Sequence, residues 1–246
     1  MKTLIAATSA LFAAAFAFGQ DAASTALNEP VPEHVATTPA PRDGGWMKRH
    51  ESMNERTKKG GVDLAFVGDS ITQGWEGKGR KVWEEFYGKR NAANYGISGD
   101  RTEHVLWRID NGNFDGISPK LIVIMIGTNN TGHKSSDAGQ TADGIRAILQ
   151  RLQKKTPDSK ILLLGVFPRG ATPDDAMRKM NEEVNAKIKA YADGKKIQFL
   201  DIGDKFLGED GKLSREVMPD LLHLNEASYR TWAEAIEPKV KELLGE

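Results

Sequence analysis

Apolar positions in this chain alternate between two spacings. Residues 62–67, 121–126 and 160–167 are short runs dominated by aliphatic side chains, and the last two have almost no polar interruption. Continuous runs of this length suit strands buried on both faces. Residues 91–95 and 197–201 are shorter strand candidates. Between the runs, apolar residues recur three or four positions apart. Val105, Leu106 and Ile109 do so within 102–111, and Ile145, Ile148, Leu149 and Leu152 do so within 138–155. That period predicts helices with one inward face. Further helices are expected over 78–87, 174–192 and 228–244. Asp174 and Asp175 suit the positive end of the second of these. Residues 46–59 predict a polar surface helix ahead of the first strand. Strands and helices taking turns predict an α/β fold with a five-stranded parallel sheet, most simply in the flavodoxin-like order.

The N-terminal part departs from this rhythm. Met1-Lys2 precedes an apolar, alanine-rich run to Phe18, followed by small residues. This is the layout of a signal peptide over residues 1–19, and the run is too short for a comfortable membrane span. A periplasmic or secreted location follows, with no stable span after cleavage. Residues 20–45 hold prolines at 30, 32, 39 and 41 and read as a flexible or extended leader, so the folded domain is expected over 46–246. With 34 basic and 34 acidic residues the chain has no net charge, which removes the field a nucleic-acid binder needs. The absence of cysteine removes disulfides and thiolate metal sites.

Candidate chemistry sits where the apolar runs stop. The first strand ends in Gly68-Asp69-Ser70, which puts a serine at the carboxyl edge of the sheet, where ligands gather in open α/β folds. A serine nucleophile needs a base, and the base needs an orienting acid. His34 lies in the leader, and His50 and His104 fall within helix candidates as surface or packing residues. His133 follows a turn, and His223 stands three residues after Asp220, just before the last helix. In a helical turn that spacing puts both side chains on one face. The order Ser70, Asp220, His223 is that of other α/β esterases, although Gly-x-Ser-x-Gly is absent. Candidate oxyanion donors are the Ser70 and Gly99 N–H groups and the Asn129 amide, each after a strand end. Such a set calls for neither metal nor cofactor, and Asp137, Asp174 and Asp175 lack metal-loop spacing. Ile71 and Leu222 flank the nucleophile and base and are candidates to bound an acyl pocket. Trp75, Trp83 and Trp107 read as core residues, with the lining of a sugar-binding cleft as the alternative.

Four stretches together carry a family resemblance: Gly68-Asp69-Ser70, Gly96-Ile97-Ser98-Gly99-Asp100, Gly127-Thr128-Asn129-Asn130 and Asp220-Leu221-Leu222-His223. The sequence resembles the SGNH, or GDSL, hydrolases. It is most similar to the branch holding the catalytic subunits of platelet-activating factor acetylhydrolase, through residues 94–108 and Gly165-Val166-Phe167-Pro168-Arg169-Gly170. The resemblance implies a three-layer α/β/α sandwich and removal of short acyl groups, chiefly acetyl. It assigns Ser70, Asp220 and His223 as the triad and Ser70, Gly99 and Asn129 as the oxyanion hole, and it allows a homodimer. Two departures bear on the substrate, a small-molecule or glycan ester. Those animal enzymes are intracellular, whereas this chain carries an export-like start. Ser98 also stands where they have glycine. A carbohydrate O-acetylesterase and a catalytically silent carbohydrate-binding domain are the competing readings.

Overall fold

The computed structural model describes residues 26–133 and 135–246. The expected signal peptide at 1–19 lies outside them. Five strands, β1 (Leu64–Gly68), β2 (Ala92–Gly96), β3 (Leu121–Met125), β4 (Lys160–Leu164) and β5 (Ile197–Leu200), form one sheet in the order β2-β1-β3-β4-β5. Every pairing is parallel, and Gly68 at the end of β1 is level with Gly96 on one side and Met125 on the other. This is the flavodoxin-like order expected. The chain leaves β1 in one direction for β2 and returns past it to β3, so a crevice opens at the carboxyl end of β1.

The strands' period of two divides their apolar residues between two cores. Ala65, Val67, Ile122 and Ile124 face one, and Leu64, Phe66, Leu121 and Val123 face the other. The first is closed by helices α1 (Gly45–Lys58), α4 (Thr102–Arg108), α6 (Ala138–Lys155) and α7 (Ala176–Ile188), which contribute Met53, Leu106, Ile148 and Val184. The second is closed by α3 (Arg80–Phe86) and α8 (Glu226–Leu244) through Val82, Trp232 and Ile236. The result is the α/β/α sandwich. The short helices α2 (Ser70–Gln73) and α5 (Thr128–Gly132) sit at the strand ends.

Tryptophan serves packing. Trp75 is 1% exposed and lies 4.9 Å, centroid to centroid, from Trp232, while Trp83 and Trp107 pack against the two cores. Side-chain caps set the starts of several helices. Asp175 accepts from Met177 N and Arg178 N, so the helix expected from 174 begins at Ala176. Asp137 and Gln140 form a reciprocal capping box on α6. The helix expected from 46 to 59 is present, but it is not merely a surface helix. It buries Trp46, His50, Met53 and Thr57.

The larger correction concerns the leader. Residues 26–45 lie against the domain. Leu27 and Ala36 are buried, and Gln150 Nε2 donates to the Leu27 carbonyl at 2.7 Å. Thr102 Oγ1 donates to the Ala36 carbonyl at 2.8 Å, and Ala40 N donates to the Glu103 carbonyl at 3.1 Å. Between the short helical turn at 26–28 and α1, the prolines at 30, 32, 39 and 41 keep this strap out of regular helix and strand. Among the described residues no helix is long and apolar enough to cross a membrane.

Candidate active site

Two glycines bring the first loop onto the sheet edge. A Cβ on Gly68 would collide with Thr72 and the Met125 carbonyl, and one on Gly96 would collide with the Thr72–Gln73 backbone. Only a bare backbone lets α2 turn this tightly over β1 and β2. Asp69 caps α2, its Oδ1 accepting from Ile71 N at 2.9 Å. The Asp69 side chain is wholly buried, and its Oδ2 has no partner among the described residues. Burial pushes this carboxyl up to about 7, although the Ile71 N–H pulls the other way.

Ser70, half-buried at the first position of α2, meets a side chain from the far end of the chain. Ser70 Oγ lies 2.9 Å from His223 Nε2, and His223 Nδ1 lies 2.6 Å from Asp220 Oδ2. Burial alone would raise the Asp220 carboxyl. The His223 hydrogen bonds and the Leu222 N–H outweigh it and hold the group below its ordinary value. An ionised carboxylate only accepts, so Nδ1 carries the imidazole proton and Nε2 is left to accept from the serine hydroxyl.

The turn that presents this pair is not the helical turn expected. Leu221 has φ +61°, in the left-handed region, and its carbonyl accepts from Gly170 N at 3.0 Å. Asp220 Oδ1 accepts from His223 N at 2.7 Å and from Leu222 N at 3.1 Å. One carboxylate oxygen therefore shapes the loop while the other holds the imidazole. Helix α8 starts only afterwards, capped by Asn225.

The other two candidate donors are braced from below. Gly99 has φ +76°, and among the described residues no acceptor takes its N–H. Asn129 Nδ2 donates to the Asp100 carbonyl at 2.9 Å, which leaves its second hydrogen for a ligand. Asn130 ties the same turn to α4, accepting from Thr102 N at 3.0 Å and donating to Thr102 Oγ1 at 3.0 Å. Arg169 Nη1 donates to the Thr128 carbonyl at 2.9 Å. The loops after β1, β2 and β3 thus share the carboxyl edge of the sheet, and the loop before α8 reaches that edge through the His223–Ser70 bond.

Beneath Gly99 lies a network that sequence reasoning did not find. Asp100 is fully buried and accepts from Arg108 Nε at 2.9 Å and Trp46 Nε1 at 2.6 Å. Arg108, also buried, donates to Asn113 Oδ1 at 2.6 Å and to the Tyr95 carbonyl at 3.1 Å. Burial pushes Asp100 up and Arg108 down, and each opposes the other's shift. His50 and His104 are packing residues: His50 stacks on Trp46 and meets Trp107 edge-on, and His104 meets Trp46 edge-on. The available signal was Arg108 itself, a charge four residues after His104 on the apolar side of α4, with an aspartate eight residues upstream.

Ile71 is 1% exposed and Leu222 is half-buried, and both pack on the second core beneath the site. A cavity of about 480 Å³ opens elsewhere, along the outer edge of β2 between Arg49, Met53, Trp75 and Trp83. Neither Ser70 nor His223 lines it.

Comparison with known proteins bears on the family and the fold. The GDSL-like lipase/acylhydrolase family matches residues 66–231. The human platelet-activating factor acetylhydrolase IB subunit alpha1 is 35% identical over 220 residues, spanning 87% of this chain and 93% of that protein. Among solved structures, a GDSL-like lipase from Bacteroides thetaiotaomicron superposes with a TM-score of 0.63 at 23% identity, covering 79% of this chain and 97% of that one. A carbohydrate acetylesterase family member from Sinorhizobium meliloti gives 0.59 at 17%, covering 76% and 100%. At these identities the two structures speak to the fold. The chain belongs to the GDSL-like lipase/acylhydrolase family. It is an ester hydrolase.

Proposed function

We propose that the protein is a serine esterase for short acyl groups, chiefly acetyl, with Ser70 as nucleophile. His223 Nε2 takes the Ser70 proton as Oγ attacks the ester carbonyl, and Asp220 holds the imidazole in the required tautomer. The tetrahedral oxyanion is received by the Ser70 and Gly99 N–H groups and the Asn129 amide. His223 then gives its proton to the leaving alcohol, and water frees the acyl group by the same route. The observation that carries this reading is the unbroken line from Ser70 Oγ to His223 Nε2 at 2.9 Å and from Nδ1 to Asp220 Oδ2 at 2.6 Å.

The test is a time course of acyl release from p-nitrophenyl esters of graded chain length, run beside Ser70→Ala. Acetate release by the wild type and none by the variant is expected. Substantial turnover by purified Ser70→Ala sinks the assignment. Of the two candidates to bound the acyl pocket, Ile71 is buried in the core and Leu222 is half-buried beside the base, so Leu222→Ala should extend the accepted chain length. The alcohol portion is a small molecule or a glycan, and acetylated xylan set against short acyl glycerides separates the two. Glycan binding without acetate release would instead favour a silent binding domain. Export is proposed from residues 1–19, and the N-terminal sequence of the mature protein tests it. A homodimer is proposed from the likeness to the acetylhydrolase subunits, and light scattering tests that.

A further inference from the structure

We propose that Arg42, in the strap ahead of α1, is a positioning residue for the Gly99 oxyanion donor and acts through the peptide that links Ser98 to Gly99. This rests on the reading of Gly99 as a donor given above. Arg42 Nη1 donates to the Ser98 carbonyl at 2.8 Å. In a planar trans peptide the carbonyl and the N–H point in opposite directions. The guanidinium therefore grips one end of the unit whose other end is the Gly99 N–H. A charge-assisted bond of this kind fixes the plane, and it draws electron density from the amide, which makes the N–H a stronger donor.

Two further observations support the assignment. Both Arg42 terminal nitrogens lie 3.2 Å from where a Cβ on Gly99 would sit, so the guanidinium closes that side of the residue and resists rotation of the loop. The arginine is itself held in place. Arg42 Nη1 reaches Asp100 Oδ1 at 3.3 Å, and Trp46, four residues on, donates to the same oxygen at 2.6 Å. The Arg42 side chain is 37% exposed, so filling the core does not account for its position.

The experiment compares wild type, Arg42→Ala, Arg42→Lys and Ser70→Ala on p-nitrophenyl acetate. It also follows the Gly99 amide resonance in 15N-labelled protein. Arg42→Ala should lower kcat about tenfold with KM within about twofold, a smaller loss than the ~100-fold of removing a donor outright. The Gly99 amide proton should move upfield. Arg42→Lys, still a cationic donor, should recover most of both effects. The acid limb of kcat against pH should stay in place, because Asp220 and His223 are untouched. A kcat within twofold of wild type in Arg42→Ala overturns the proposal. So does a kcat loss with an unmoved Gly99 resonance, or one that Arg42→Lys does not relieve. If Arg42→Ala fails to fold, Arg42→Gln replaces it, where a partial loss supports the proposal and full activity overturns it. An active Ser70→Ala would instead bring down the reading of the whole site.

Discussion

The two halves of the site are anchored in opposite ways. Asp220 and His223 stand on an irregular turn with side chains 57% and 43% exposed, and their order comes mainly from bonds within four consecutive residues. Gly99 and Asn129 instead back onto Asp100 and Arg108, whose side chains are 0% and 1% exposed. The contrast fits what each half does in the proposed reaction. A base that takes and returns a proton needs one tautomer and access to water. Donors that receive a developing charge need to be in place beforehand, because reorganisation at the moment of reaction costs rate.

The sharpest test of that contrast is on the exposed half. Ser70→Ala should lower kcat on p-nitrophenyl acetate by about 10⁵- to 10⁶-fold. The melting temperature should stay near wild type, since among the described residues Ser70 Oγ bonds only to His223. Asp220→Asn should cost about 10³- to 10⁴-fold, because an amide can stabilise the wrong tautomer, with little loss of stability. A loss below tenfold would mean that water replaces this carboxylate, and that the exposed half orders itself without it. The buried half should respond in the other currency. Arg108→Met removes the buried cation from Asp100 and leaves it only the more exposed Arg42 at 3.3 Å, so denaturant unfolding should show a loss of about 3 kcal/mol. A stable Arg108→Met protein with full activity would break the comparison.

The smallest effect expected is in pH. Burial drives the His104 imidazole down to about 3, helped by the charges of Arg101, Arg42 and Arg108, and burial lowers His50 as well. In the unfolded chain histidine titrates near 6.5. Below that pH the unfolded state takes up a proton that the fold refuses, so stability falls as pH drops from about 6.5 towards about 3. Asp69 works in the opposite sense. Its folded carboxyl keeps a proton up to about 7, whereas the unfolded one loses it near 3.9, so its contribution is lost as pH rises through that window. His104→Gln keeps an acceptor for Arg101 N and removes the titration. Between pH 6.5 and 5 it should flatten the stability profile by about 2 kcal/mol, read from urea midpoints. An unchanged slope would show that His104 does not carry the acid sensitivity.

What the sequence disclosed follows from which forces are local. The strands were legible because buried parallel strands are continuous apolar runs, and Ser70, Gly99 and Asn129 were legible because they sit where those runs stop. Asp220 and His223 were found through their spacing, although the turn between them is built on Leu221 at φ +61° and is not helical. The bracing was not legible. Arg108 and Asp100 are charged residues in a core position, stable there only because each meets the other and a set of carbonyl and amide partners. The strap escaped for a related reason. Beside its local turns, its bonds to the rest of the domain reach residues such as Ser98, Thr102, Glu103 and Gln150, none of them near in sequence, and composition alone reads proline and alanine as linker.

That strap also sets an order of events during synthesis. Leu27 leaves the ribosome before Gln150, its partner 123 residues later in the chain. At about 5–20 residues per second the strap waits on the order of ten seconds for the helix it docks against. The earliest-made part of the domain therefore cannot take its place until α6 has been made, with β4, β5 and α8 still to follow.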